Sequence, residues 1–285
     1  MQLTKHHGLG NDFLVALEEV DGTNHADATL ARNLCDRRRG IGADGLIIGT
    51  RAATGQVGPD GRPVDVVMHL WNADGSRAEM SGNGIRCLGQ ALAAARDDHE
   101  ATYLVATDGG LRELVVHDDG DHRMAQVHVT MGAVVPGPDV PVPVSERLAD
   151  ARHGTADMGN PHLVVLVADL GGVDLVGTGS WLEEQFPAGI NVELIAPATA
   201  PDTIDLLVWE RGVGVTEACG TGAVAAAHLA HRWGLVGREV KVVMPGGTAE
   251  VVLPADDDPD GEPILIGPAQ HVATLEVPTP ERVHG

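Results

Sequence analysis

The chain repeats itself once, and that constrains its fold more than any other feature. Trp71-Asn72 leads into Ser81-Gly82-Asn83-Gly84, and Trp209-Glu210 leads into Cys219-Gly220-Thr221-Gly222 with the same spacing, every counterpart lying 138 residues further on. Two looser echoes keep the order: residues 10–15 are answered by 159–164, and 42–48 by 189–195. Two long copies indicate a duplicated unit, not a solenoid, whose units are short and numerous. If the copies pack face to face, each supplies one small nucleophilic side chain, Ser81 or Cys219, from opposite sides of a shared cleft.

Short β-branched runs bounded by Gly, Asp, Asn and Pro read as strands at 64–70, 102–106, 114–117, 126–130, 163–167, 204–209, 240–244 and 249–253. Helices are expected at 28–37, 85–96, 180–185 and 223–233. The second and fourth follow the repeated Gly-x-Gly elements, are rich in alanine and are apolar nearly all round, which predicts central burial. The expected fold class is therefore α/β: two domains related by an approximate twofold, each a curled mixed β-sheet around one buried helix. The proline-rich stretch 136–143 reads as a surface connection. Because 126–131 already reads as a strand of the second copy, the boundary is placed near residue 122. The first domain is then 1–122, with 273–285 returning to it, and the second is 123–272.

A chain of 285 residues can bury two cores. Its formal net charge of −22, with Lys5 and Lys241 as the sole lysines, argues against a nucleic-acid partner, which needs clustered cations. The acidic run at 256–261 lacks the alternating ligands and closing glutamate of a calcium loop, so a solvated turn is expected. Three cysteines, Cys35, Cys87 and Cys219, are an odd number in a chain too large to need staples, which indicates a reducing, cytoplasmic setting. The N-terminus has no apolar signal region and no stretch approaches a membrane span, so no membrane partner is expected. His228 and His231 have no third ligand at a recognisable spacing, and no metal is expected. Gly8-Leu9-Gly10 lacks the later glycine of a dinucleotide loop.

The chemistry is concentrated at the two helix starts. A cysteine just before a helix, followed by glycines that let backbone N–H groups approach a ligand, sits where the helix dipole favours an anion. Two expectations follow: a thiol pKa below its free value, and a substrate carboxylate held by the same N–H groups. A lone thiol is more often a packed core residue, as Cys35 is expected to be. Repetition of the element at 81–84 decides for function at Cys219. Cys87 stands six helical residues beyond Ser81, about 9 Å of rise, too far to take its place.

Six motifs run in order along the chain: His7-Gly8-Leu9-Gly10-Asn11-Asp12-Phe13, Asn72-Ala73-Asp74-Gly75-Ser76, Ser81-Gly82-Asn83-Gly84-Ile85-Arg86-Cys87, Gly159-Asn160-Pro161-His162, Gly189-Ile190-Asn191, and Glu210-Arg211-Gly212 leading to Ala218-Cys219-Gly220-Thr221-Gly222. Together they resemble the diaminopimelate epimerase family, over about residues 5 to 275. The resemblance implies an isomerase that interconverts LL- and meso-diaminopimelate, on the route to lysine and peptidoglycan. It also implies that the enzyme has no cofactor, pyridoxal phosphate included, and forms a homodimer. Further, it implies that Asn72, Asn160, Asn191, Glu210 and Arg211 recognise the distal end of the amino acid, and that Asn11, Gly82, Asn83, Gly220 and Thr221 hold the reacting end. In the family a cysteine precedes the Gly-Asn-Gly of the first copy, and this chain has Ser81 there. Three readings follow: epimerisation with a poor proton donor on one side, one-base elimination or isomerisation by Cys219 alone, or an amino-acid-binding protein that has lost the chemistry.

Overall fold

The computed structural model describes residues 1–23, 25–258 and 261–278. Residues 259–260 of the acidic turn and residues 279–285 of the expected returning segment lie outside the described residues. The first half contains β1 (Gln2–Gly8), β2 (Asn11–Leu17), α1 (Glu18–Asp21), α2 (Ala28–Cys35), β3 (Gly45–Thr50), β4 (Val66–Asn72), β5 (Arg77–Ala78), α3 (Gly82–Arg96), β6 (Glu100–Thr107), β7 (Gly110–Asp118) and β8 (Met124–Thr130). The second contains β9 (Val135–Pro136), α4 (Val142–Arg147), β10 (His153–Asp157), β11 (Pro161–Leu166), α5 (Leu175–Glu184), β12 (Asn191–Pro197), β13 (Thr203–Glu210), β14 (Gly214–Thr216), α6 (Gly220–Arg232), β15 (Glu239–Met244), β16 (Gly247–Val252) and β17 (Ile264–Glu276).

The duplication extends to the hydrogen bonding. β1–β2 pair antiparallel, β2–β3 parallel, β3–β4 antiparallel, β4–β6 parallel and β6–β7 antiparallel. The series β10–β11, β11–β12, β12–β13, β13–β15 and β15–β16 repeats those senses in the same order. Each sheet curls around its own helix. Gly82 through Ala93 of α3 and Gly220 through Ala227 of α6 are all buried, because alanine and glycine favour close approach of the surrounding strands, whose β-branched side chains fill the space between. One apolar cluster joins Ile85 and Leu88 of α3 to Ala223 and Val224 of α6, so the two halves share a continuous core.

β17 laces the halves together. Its start pairs with β16 and β8, and its end pairs with β1. The expected boundary at residue 122 falls inside the β7–β8 turn, and the pairing puts the division later. β8 is hydrogen-bonded to β7 as well as β17, and Val127 lies against Gly89 of α3. Alternation alone identifies a strand but not its partner, and so the reading of 126–131 as the opening of the second copy assigned β8 to the wrong helix. Other elements differ from expectation as well. The helix expected at 180–185 begins at Leu175, where the Asp174 carboxylate caps it by accepting from the Gly177 N–H at 2.9 Å. The proline-rich connection gives way to α4 at Val142, with Pro143 in the first turn, where a missing N–H leaves no bond unmade.

An ion cluster fixes the loop before β3. Asp12 accepts two hydrogen bonds from Arg37, at 2.7 and 3.1 Å, and pairs with Lys5 at 2.8 Å, while Arg37 also reaches Asp44. Burial acts to raise the Asp12 pKa, but the hydrogen bonds from Arg37 and Lys5 outweigh it and hold the carboxyl at about 2. A depressed carboxyl stabilises the fold above its ordinary value, and that contribution is lost as pH falls through the native one. Asp12→Asn is expected to cost about 2 kcal/mol at neutral pH and to flatten the acid limb between about pH 4 and 2. Urea unfolding at several pH values checks this; a variant as acid-sensitive as the parent would contradict it.

Candidate active site

Ser81 and Cys219 occupy the same position on two helices. Ser81 caps α3 and its hydroxyl accepts from the Gly84 N–H at 3.1 Å; Cys219 caps α6 and its sulfur accepts from the Gly222 N–H at 3.4 Å. The helix starts touch through their glycines. A Cβ on Gly82 would lie 3.1 Å from the Gly220 Cα, and one on Gly220 would lie 3.0 Å from the Gly82 Cα. With neighbouring Cα atoms about 3.8 Å apart, this contact brings the Cα atoms of Ser81 and Cys219 within roughly 12 Å. Hence the second residue of each repeated motif must be glycine for the two halves to meet.

Beside this junction is a cavity of about 690 Å³. Asn11, Asn72, Ser81, Gly82, Asn83, Asn160, Asn191, Glu210, Arg211, Cys219, Gly220 and Thr221 all line it. The fold thus brings together every residue expected from the sequence to carry a catalytic or substrate-binding role. The N–H groups of Gly82, Asn83, Gly220 and Thr221 make no hydrogen bond among the described residues, as the first donors of a helix lack intrahelical partners. Two positive helix ends and four unpaired donors therefore meet at one cavity, an arrangement suited to a carboxylate.

The side chains divide by how far they are already engaged. The Asn83 amide donates to Asn11 Oδ1 and to the Ala218 carbonyl, and its oxygen accepts from Arg86. Asn191 is likewise occupied: it donates to the Pro161 carbonyl and accepts from the Arg211 N–H, fixing the backbone that carries the arginine. Asn11 donates to Asp44, and Asn72 donates to Ser76. The Arg211 side chain is exposed, held by a single 3.4 Å hydrogen bond to the Ala188 carbonyl. Glu210 accepts from the Thr216 hydroxyl at 2.6 Å, and burial raises its pKa.

The Cys219 thiol differs from expectation. Its pKa stands well above the ordinary value of 9.0, not below it. Burial is the main cause, and the nearby Glu210 and Glu193 carboxylates add to it, outweighing the hydrogen bonds from Thr221 and Gly222. The helix start favours a thiolate, but dehydration and two carboxylates oppose it more strongly.

Three contributors escaped the sequence reading. Glu193 is fully buried at the end of a polar chain: His162 Nδ1 donates to its Oε1 at 2.7 Å, and His162 Nε2 lies 3.0 Å from Asn160 Oδ1. Asn160 then donates to Thr221 at 3.4 Å, and the Thr221 oxygen is 3.5 Å from the Cys219 sulfur. Gly222 is what admits Glu193, since a Cβ there would sit 2.6 Å from Oε1. Arg86, also fully buried, reaches Asn83 Oδ1 at 2.7 Å and the Gly82 carbonyl at 3.3 Å, tying down the first turn of α3; burial lowers its pKa to about 10. His162 and Arg86 stand within the motifs themselves, but a burial-dependent role leaves no mark in spacing. Cys87, buried in α3, has its thiol pushed up to about 12 and is inert as a base.

Removing the Glu193 charge is expected to lower the Cys219 pKa, because one of the carboxylates that oppose the thiolate is gone. In Glu193→Gln the rising alkaline limb of α-proton exchange should therefore move to lower pH. A limb that stays in place or moves upward would contradict the electrostatic assignment.

Residues 3–136 and 154–272 match the family model described as diaminopimelate epimerase. The chain belongs to the diaminopimelate epimerase family. Similar relatives include the diaminopimelate epimerase of Desulforudis audaxviator, 39% identical with 95% of this chain and 97% of the relative covered, and that of Corynebacterium aurimucosum, 37% identical with 97% and 99% covered. Among solved structures, a PhzF-family phenazine biosynthesis protein from Bacillus anthracis shares the fold at a TM-score of 0.72 and 13% identity, covering 98% of this chain and 99% of that one. No helix among the described residues is long and apolar enough to cross a membrane.

Proposed function

We propose that this member of the diaminopimelate epimerase family interconverts LL- and meso-2,6-diaminopimelate without a cofactor, as a cytoplasmic homodimer serving lysine and peptidoglycan synthesis. The observation that carries this reading is the junction of two helix starts, with four N–H groups between Ser81 and Cys219 that are unpaired among the described residues. An α-amino acid is a weak carbon acid. Without an electron sink, removing its α-proton requires that the charge developing on the carboxylate be met by fixed donors in a site shielded from water.

The α-carboxylate takes the N–H groups of Gly82, Asn83, Gly220 and Thr221. Cys219, as thiolate, removes the α-proton: the Cα–H bond breaks, the proton passes to sulfur and the electron pair spreads into the carboxylate. Ser81, on the opposite face, returns a proton through its hydroxyl or a water it holds. Arg211 pairs with the distal carboxylate through two parallel hydrogen bonds. Asn72, Asn160 and Glu210 receive the distal ammonium, and Asn191 sets the arginine in place. A second reading, one-base isomerisation or elimination by Cys219, is favoured by Ser81, since among the described residues no Lys or His is hydrogen-bonded to its hydroxyl.

Incubation of LL- and meso-diaminopimelate in deuterated water tests the two together. Deuterium entry with inversion supports epimerisation. Deuterium entry with retained configuration, or release of water or ammonia, supports the one-base reading and sinks the first. Binding without exchange sinks both.

A further inference from the structure

The turn that carries Arg211 is held from behind by a carboxylate that does not line the cavity. β13 passes into β14 through Glu210-Arg211-Gly212-Val213, closed by the Val213 N–H donating to the Glu210 carbonyl at 3.0 Å, with Gly212 in left-handed backbone at φ 73°. Such a turn leaves the N–H groups of its two central residues without partners inside it. Asn191 takes the first, accepting from the Arg211 N–H at 2.9 Å. Glu183 of α5 takes the second: its Oε1 accepts from the Gly212 N–H at 3.0 Å, while its Oε2 accepts from the Trp209 indole N–H at 2.7 Å. One carboxylate thus grips the chain on both sides of Glu210 and Arg211.

Nothing in α5 itself calls for a glutamate there. Position 183 lies in the last turn of Leu175–Glu184, where the helix dipole disfavours an anion and no basic residue offsets it. The surroundings are shaped for the contact instead. Gly179 stands one turn earlier on the same face, and a Cβ there would lie 2.5 Å from Trp209 Cβ, so the tryptophan lies against the helix only because that residue is glycine. A Cβ on Gly189 would lie 2.9 Å from Arg211 Cγ and 3.2 Å from Glu183 Oε1, so a second glycine admits the arginine stem and the carboxylate side by side. The first copy braces its turn from the equivalent helix. α2 stands between β2 and β3 as α5 stands between β11 and β12, and Arg32 of α2 donates to the Asp74 carbonyl at 3.2 Å. Asp74 is the counterpart of Gly212 at the offset of 138. The two braces differ in charge because one holds a carbonyl and the other an N–H. Glu183 also leaves the guanidinium of Arg211 available, since its one hydrogen bond among the described residues is the contact with the Ala188 carbonyl.

We infer that Glu183 is a positioning residue for the distal end of the substrate, setting the Arg211 turn in its binding geometry before the ligand arrives. This rests on the proposed pairing of Arg211 with the distal carboxylate. A bidentate pair needs the guanidinium held in one place and one orientation, and a loose turn would have to be ordered on binding, which weakens affinity. Glutamine cannot take the place of Glu183. Both partners are donors, and an amide offers one acceptor oxygen, so its NH₂ would face an N–H.

The test is the steady-state kinetics of α-deuterium entry into diaminopimelate, catalysed by the full chain. Glu183→Gln is expected to raise KM about 5–30-fold with kcat within about threefold of the parent, because the ordering cost falls on binding and the reacting end is untouched. In an Arg211→Ala background the same change should alter KM by less than about twofold, as for two residues acting through one contact. Trp209→Phe removes one of the two donors, so a single acceptor oxygen then suffices. The Trp209→Phe, Glu183→Gln double variant should therefore match Trp209→Phe alone within about twofold, a rescue that general loosening of α5 would not give. If Glu183→Gln does not fold, Trp209→Phe carries the same test, with KM raised about 2–5-fold in the parent and unchanged where Arg211 is replaced by alanine. KM unchanged in Glu183→Gln, an equal effect in both backgrounds, or a loss confined to kcat would each overturn the inference and leave the proposed activity standing. A parent that neither binds nor exchanges diaminopimelate would overturn both.

Discussion

Cys219→Ala is expected to slow α-deuterium entry into diaminopimelate by about 10²–10⁴-fold, the range general-base catalysis contributes, while ligand affinity changes little. The expectation rests on the inequality of the two halves. Around Cys219 the second copy places His162, Glu193 and Glu210; by strand register the corresponding positions of the first are Phe13, Ile47 and Asn72. Phe13 and Ile47 face Gly84 with ring and methyl carbons, where Glu193 faces Gly222 with a carboxylate oxygen. The groups that surround Cys219 therefore have apolar or neutral counterparts beside Ser81. Truncating Cys219 removes the sole thiol that lines the cavity among the described residues but leaves the four N–H donors, so the carboxylate should still bind. Isothermal calorimetry and mass-spectrometric exchange separate the two effects. Exchange within about threefold of the parent would remove Cys219 from the chemistry, whatever became of affinity.

The same residue sets the pH dependence. Because the Cys219 thiol stands above its ordinary value, the base form is scarce at neutral pH, and exchange by the parent should rise with pH through the alkaline range. The oriented substrate carboxylate adds a further negative charge close by, which the helix-start N–H groups already lining the cavity offset.

What the sequence disclosed was whatever depends on order and spacing. The matched motifs revealed the duplication, the helix starts and the twelve residues that converge on one cavity, because glycine at 82 and 220 is a steric demand that composition must meet. The alternating strands were legible one by one, but β8 was given to the wrong half, since its partners β7 and β17 are fixed by three-dimensional closure. The direction of the Cys219 shift was misread for a related reason. A motif shows the dipole in front of the thiol but not the carboxylates behind it, and Glu193 enters from a strand whose sequence, Asn191–Pro197, is otherwise that of a buried hydrophobic element. Arg86 was hidden in the same way: a guanidinium without exposed surface is rare enough that a helical arginine is read as solvated.

Ser81→Cys is expected to raise the rate of stereochemical inversion by about 10²-fold or more, with a much smaller change in exchange driven by Cys219. An alcohol holds its proton far more tightly than a thiol, whose free pKa is about 8.5, and so is the weaker acid for protonating a carbanion. In the reverse step it is the scarcer base, because so little of it is ionised. The local structure is ready for the substitution. Ser81 and Cys219 have near-identical extended backbone, φ −135° and −128°, and each accepts from the N–H three residues on. The sulfur of Cys219 demonstrates that this cap tolerates a thiol, and Ser81 is the less buried of the two, so a thiolate introduced in its place would meet a smaller desolvation penalty. The diagnostic quantity is the ratio of inversion to exchange in deuterated water. With Ser81 the ratio should be low, because a proton removed by Cys219 returns most readily from Cys219 itself; with cysteine it should approach the value for two working bases. An unchanged ratio, with the variant folded and binding substrate as the parent does, would mean that position 81 does not face the reacting carbon, and the pairing of the two helix starts would then serve only to hold the carboxylate.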